Sequence, residues 1–270
     1  PGVGANLADH PGVDVDPGYR SDHDAGPRIF TLTTFHSSGH DTAEAPDLAL
    51  WTYDPFGEPA ETTVDVLLLT PRSRGTVRLR SADPYAPPRI TLPGLSDPAD
   101  VDVLVEGYRR AYDVAAHAAL RSVCTGAPPP LPAAVDELRE QVRRTVGSFP
   151  HVVGTCAMGP DPGRGAVVDP SGGVHGVDRL SVIDASIIPT APSGFPHLIS
   201  VMLAERLAEH LNRTLSDSAH SSVLLARSAW LARWCSRHAV RRSPDAPAMR
   251  STHWRAAPFA PATPYLLIMQ

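Results

Sequence analysis

The sequence predicts an α+β fold, an antiparallel sheet backed by helices, and three observations lead there. Short runs of β-branched or alternating residues, at 64–70, 75–80 and 89–92, are separated by turns rich in Pro, Gly and Ser. An apolar stripe at helical spacing runs through Val101, Leu104, Val105, Tyr108, Tyr112 and Ala115. No apolar run reaches the ~20 residues needed to span a bilayer.

Taken in order, residues 12–60 are rich in Pro, Gly, Asp and His, and read as loops carrying one or two short strands, at 29–35 and 48–53. Ser96-Asp97-Pro98 opens the first helix. A second helix is expected over 133–146, with Val135, Leu138, Val142 and Val146 on its buried side. Pro128-Pro129-Pro130 cannot sit inside either helix and ends the connection between them. Residues 182–189 read as a buried strand ending in a polar turn. The helix that follows begins at Pro196 and leaves free backbone N–H groups at its start. Beyond that helix, Leu224, Leu225, Leu231 and Trp234 fit a short basic amphipathic helix that touches an anionic surface, or simply a poorly ordered tail.

A chain of 270 residues holds one large domain or two small ones, and 42% hydrophobic residues suffice for a core. The formal net charge of −5 gives no reason to expect nucleic acid as a partner, and every basic side chain apart from His is Arg. Cys124, Cys156 and Cys235 form an odd, widely spaced set with no disulfide framework, so a reducing cytoplasm is expected.

The most informative stretch is His151-Val-Val-Gly-Thr-Cys-Ala-Met-Gly159. It is followed by Val182-Ile-Asp-Ala-Ser-Ile-Ile-Pro189 and by Gly194-Phe-Pro-His-Leu-Ile-Ser-Val-Met-Leu-Ala-Glu-Arg206, and preceded by Pro1-Gly-Val-Gly-Ala-Asn-Leu-Ala-Asp-His-Pro11. In these segments the chain resembles the C-terminal half of the glucose-methanol-choline (GMC) family of FAD-dependent alcohol oxidoreductases, from Pro1 to about Arg213. The resemblance implies a division of the chain. Residues 12–150 form the antiparallel substrate-binding domain. Residues 1–11 and 151–213 are pieces of an FAD-binding, Rossmann-like α/β domain, and 214–270 is a tail. The family's Gly-x-Gly-x-x-Gly fingerprint is absent. Gly2-Val-Gly4-Ala-Asn-Leu7 puts Leu where the third Gly belongs. With Pro rather than Met at position 1, the expectation is that the N-terminal half of the enzyme is missing.

The resemblance also assigns roles. Oxidising an alcohol requires a base within reach of the hydroxyl proton, and imidazole suits that task near neutral pH. The family's base falls on His151, with Gly154 and Thr155 forming the close turn behind it. The family's second active-site residue, a His or Asn, falls in register on Phe195, which can do neither job. His197, two residues later, takes its place if the helix entry is shifted. Asp184 either contacts the cofactor or caps the following turn. Ala185 allows a close backbone approach, and the backbone of Pro196, His197 and Leu198 faces the flavin. Asn6 belongs to the cofactor-binding set by its motif, and His10 fits the same motif. FAD is the implied cofactor, with a small-molecule alcohol as substrate, an electron acceptor left open and no metal.

His36-Ser-Ser-Gly-His40-Asp41 has the spacing of some zinc sites but lacks the Glu of His-Glu-x-x-His. No Gly-x-Ser-x-Gly elbow supports a hydrolase. The rival expectation is a catalytically inert truncated product, or a subunit that needs a separately made N-terminal half.

Overall fold

The computed structural model describes residues 1–17, 30–53, 63–121, 127–218 and 268–269. In chain order the elements are β1 (Pro11–Val15), β2 (Phe30–Phe35), β3 (Leu48–Tyr53), β4 (Val64–Leu68), β5 (Thr76–Arg78), β6 (Arg89–Thr91), α1 (Pro98–Ala115), α2 (Ala118–Arg121), α3 (Val135–Thr145), β7 (Gly147–Ser148), β8 (Leu180–Ser181), α4 (Pro196–Ser218) and β9 (Ile268–Met269). Cys124, Cys235 and the amphipathic segment expected around 224–234 lie outside the described residues.

Five strands form one antiparallel sheet in the order β2-β3-β4-β1-β7. Strand periodicity divides its residues between two faces. Val13, Val15, Leu48, Val64, Val66 and Leu68 pack against Val101, Leu104, Val105, Tyr108, Ala111 and Ala115 of α1. Removing a side chain such as Leu104 from water contributes about 1.5–3 kcal/mol. Ala49, Trp51 and Leu67 point the other way, and Leu69 beyond the strand end joins them with Phe149 and Phe195. This second face carries the candidate site.

The local chemistry of α1 matches its sequence. The Asp97 side chain accepts from the backbone N–H of Ala99 at 2.9 Å, and Pro98 occupies the first turn. Gly107 lets the helix close on the sheet, since a Cβ there would meet Val66 Cγ2 at 2.6 Å. In α3, Leu138 and Val142 are buried, whereas Val135, expected on the same side, is 39% exposed in the first turn. β5 and β6 pair with each other in a hairpin separate from the main sheet.

Two expectations change. The loop region assigned to 12–60 contributes three of the five strands, counting β1 from Pro11. The strand expected over 182–189 does not form: β8 ends at Ser181, and the chain then turns into a 3-10 helix at Ala185–Ile187. The reason is local: Asp184 accepts from Ser186 N at 2.7 Å and closes a turn that a ladder cannot contain. α4 runs on through the 213/214 boundary to Ser218, and its Leu207 packs with Val167, Val168 and Ile187.

Candidate active site

The site is built on an irregularity in strand pairing. Pro11 pairs with Ser148, and Ala8 bridges Val153, so three steps on one strand face five on the other. Two extra residues therefore bulge out between Phe149 and Val152, and His151 lies among them. A bulge of this kind re-aims a side chain but leaves backbone donors without ladder partners. The buried Asp9 carboxylate supplies the missing acceptor. Its Oδ1 takes the N–H of His151 at 2.8 Å and of His10 at 2.9 Å, and its Oδ2 accepts from the Ser148 hydroxyl.

The half-buried His151 ring has three aromatic neighbours. His10 stands edge-on with centroids 5.1 Å apart, Phe149 at 5.4 Å and Phe195 at 4.6 Å. Trp51 lies behind both phenylalanines, at 5.0 Å from Phe149 and 5.3 Å from Phe195. His10 is wholly buried. Its Nδ1 is 3.0 Å from Nδ1 of His151, and its Nε2 is 3.0 Å from the Pro192 carbonyl oxygen. Burial and the neighbouring His10 push the His151 pKa down to about 4, against a smaller upward pull from Asp9. Burial lowers His10 as well, opposed by its bond to Pro192, by Asp9 and, least, by the backbone of Leu69. Both imidazoles are therefore neutral at pH 7.

The other expected site residues fall into two groups. Ala185 packs in the small core that holds Ala8, Val153 and Ile188 beneath the bulge. Asp184 is exposed and caps the 3-10 turn. Asn6 is spent within the chain: its Nδ2 donates to Pro189 O at 2.8 Å, and its Oδ1 accepts from Arg74 Nε at 2.9 Å. Gly154, at φ +89°, lies against it, and a Cβ there would meet Asn6 O at 2.3 Å. Pro196 is buried at the start of α4, while His197 and Leu198 are exposed in its first turn. The structure thus brings Phe195, rather than His197, against His151.

Asp9, Phe149 and Trp51 complete the site without having been singled out from sequence, and His10, noted there only as fitting the opening motif, joins them. Asp9 and His10 stand side by side in the opening motif, and Phe149 lies two residues before His151, but nothing local in the sequence signals their contact. His36 and His40 stack with centroids 5.5 Å apart, and each Nε2 is bonded to a backbone carbonyl, of Glu44 and Ala45 respectively. Those bonds explain the pair as a loop brace. Among the described residues no group of three or more His, Cys, Asp or Glu is arranged to hold a metal ion, and no helix is long and apolar enough to cross a membrane.

A family model described as GMC oxidoreductase matches residues 71–204. Among curated proteins, the chain is 37% identical over 167 residues to a chloroplastic fatty acid photodecarboxylase of Chlamydomonas reinhardtii, covering 58% of this chain and 27% of that protein. It is 40% identical over 146 residues to a patulin synthase of Aspergillus clavatus, covering 53% and 23%. It is 36% identical over 153 residues to an alcohol dehydrogenase (acceptor) of Pseudomonas putida, covering 56% and 27%. The chain thus spans about a quarter of the length of these relatives. Among solved structures, pyridoxine 4-oxidase from Mesorbium loti aligns with a TM-score of 0.65 at 23% identity, over 79% of this chain and 44% of that one. A variant of Aspergillus oryzae formate oxidase aligns at 0.66 and 22%, over 80% and 48%. These two likenesses establish the fold.

Proposed function

The chain belongs to the GMC oxidoreductase family, and from that premise we propose that it forms the substrate-binding and catalytic part of an FAD-dependent alcohol oxidoreductase, with His151 as general base. The observation that carries this reading is a neutral, half-buried imidazole fixed by a strand bulge against an aromatic wall.

The chain's own groups fit FAD. The backbone N–H groups of His197 and Leu198, at the start of α4, have no hydrogen-bond partner among the described residues. With Pro196 and the close-packed Ala185 they would hold the flavin, where a helix start favours negative charge. Asp184 stands exposed nearby in sequence and fits the same set, while the amide of Asn6 supports this region by tying Pro189 to Arg74. When bound, FAD supplies the acceptor for the alcohol's hydride.

His151 takes the hydroxyl proton. Its depressed pKa keeps it deprotonated and ready to do so at pH 7. Phe149, Phe195 and Trp51 line the approach with apolar surface, exclude water and favour a hydrophobic primary or secondary alcohol. Phe195 leaves the site with one imidazole base in place of a polar pair. The same ground favours a dehydrogenase over an oxidase, and the odd, widely spaced cysteines in the sequence favour a reducing cytoplasm.

The decisive test is His151→Asn in FAD-loaded protein, mixed anaerobically with a hydrophobic alcohol. The rate of flavin bleaching should fall by about 10² or more. A near-normal rate removes His151 from the role of base.

One observation favours a second reading, in which the chain works only with a separate N-terminal half. Leu198, Val201 and Met202 on α4 are 76%, 48% and 57% exposed, an apolar face of the kind that another polypeptide covers. Flavin absorbance that stays with the purified chain through gel filtration supports independent cofactor binding. A colourless chain that takes up FAD only in the presence of the other half supports the second reading.

A further inference from the structure

We infer that His10 is a positioning residue that holds His151 in the one neutral tautomer able to act as a base through Nε2. The inference rests on His151 being the base, and it follows from the direction in which each hydrogen bond must run.

A carbonyl oxygen only accepts, so the 3.0 Å contact between His10 Nε2 and Pro192 O requires the proton on Nε2 of His10. His10 is neutral, because burial lowers its affinity for a second proton. Its Nδ1 therefore carries a lone pair. The 3.0 Å contact to His151 Nδ1 is then a hydrogen bond only if His151 donates, which places the proton of His151 on Nδ1. The remaining nitrogen, Nε2, is left with its lone pair free. Exchanging the tautomers would set two acceptors against each other at Pro192. With His10 wholly buried, water has no access to relieve that clash.

Asp9 does not compete for these ring protons. Its oxygens are engaged by the backbone N–H groups of His10 and His151 and by Ser148, so it fixes where the two rings sit. The ordering of protons belongs to His10. When Nε2 of His151 takes the hydroxyl proton, the O–H bond breaks and the Nε2–H bond forms. The resulting positive charge is shared through the Nδ1–H···Nδ1 bond to His10, whose own polarity is set by Pro192.

Nitrogen NMR of the 15N-labelled full chain reads the tautomer directly, without cofactor or substrate. At pH 7.5 wild-type His151 should show a protonated Nδ1 and an unprotonated Nε2, by about tenfold or more over the other form. His10→Leu removes the acceptor, and His151 should shift toward the Nε2–H form. His10→Asn keeps an acceptor near the position of Nδ1 and should retain most of the wild-type pattern. The backbone amide spectrum confirms that each variant is folded. A wild-type His151 protonated at Nε2, or a folded His10→Leu variant with an unchanged His151 pattern, overturns the inference. If His10→Leu does not fold, the wild-type spectrum alone still decides. The kinetic test of His151 as base is a separate measurement, so the failure of either is recognised independently.

Discussion

The ring of Phe195 lies against that of His151 with their centroids 4.6 Å apart. Family resemblance places a second hydrogen-bonding side chain at this position, and here an aromatic plane fills it. The contact seals one side of the imidazole from water and contributes to the desolvation that lowers its pKa.

Replacing that plane by an amide should reverse both effects. In Phe195→Asn the His151 pKa should rise from about 4 toward the usual 6.5, followed by proton NMR titration of the ring. Loss of an aromatic contact of about 0.5–1.5 kcal/mol corresponds to a rise of about two- to tenfold in KM for a hydrophobic alcohol. An unchanged titration would show that the desolvation comes from elsewhere.

Acid stability should show two opposed contributions. His151 falls to about 4 in the folded chain from 6.5, so between those values the unfolded state binds more protons and stability drops as pH falls. Asp65 is pushed up to about 6 from 3.8 by burial, so across that window the folded state binds more protons and its contribution is lost as pH rises. The two largely offset each other between pH 4 and 6. Urea denaturation at a series of pH values should therefore find that Asp65→Asn steepens the acid loss, and that His151→Phe flattens or reverses it. A shallower acid loss in Asp65→Asn would contradict the assignment.

Gly154→Ala should weaken the whole arrangement. The residue sits at φ +89°, where a Cβ is strained, and that Cβ would meet Asn6 O at 2.3 Å and Asn6 Nδ2 at 2.9 Å. Backbone strain and overpacking together should cost at least about 2 kcal/mol, read as a lower urea midpoint with an unchanged slope. A loss of less than half that amount would mean that the opening segment moves aside freely.

Much of the architecture was legible because it depends on short-range patterns. The stripe from Val101 to Ala115 is a property of helical spacing, and the Asp97-Pro98 start is a property of three consecutive residues. The strands at 48–53 and 64–68 announce themselves by composition. Where local chemistry was misjudged, the cause is specific. Val135 has the right spacing to be buried but lies in the first turn of α3, where it is 39% exposed. The 182–189 segment has strand-like composition, yet one Asp184 hydrogen bond bends it into a turn.

The sequence by itself determined the family, the sheet-and-helix class and the prominence of His151, because each is written in contiguous residues. Only the tertiary structure decided what surrounds that histidine. The contact with His10 joins residues 141 apart, and the acceptor for the His151 backbone comes from Asp9, 142 residues away. Both depend on a two-residue bulge between paired strands. Neither strand's periodicity encodes that mismatch, because register is a relation between two segments and appears only when they meet.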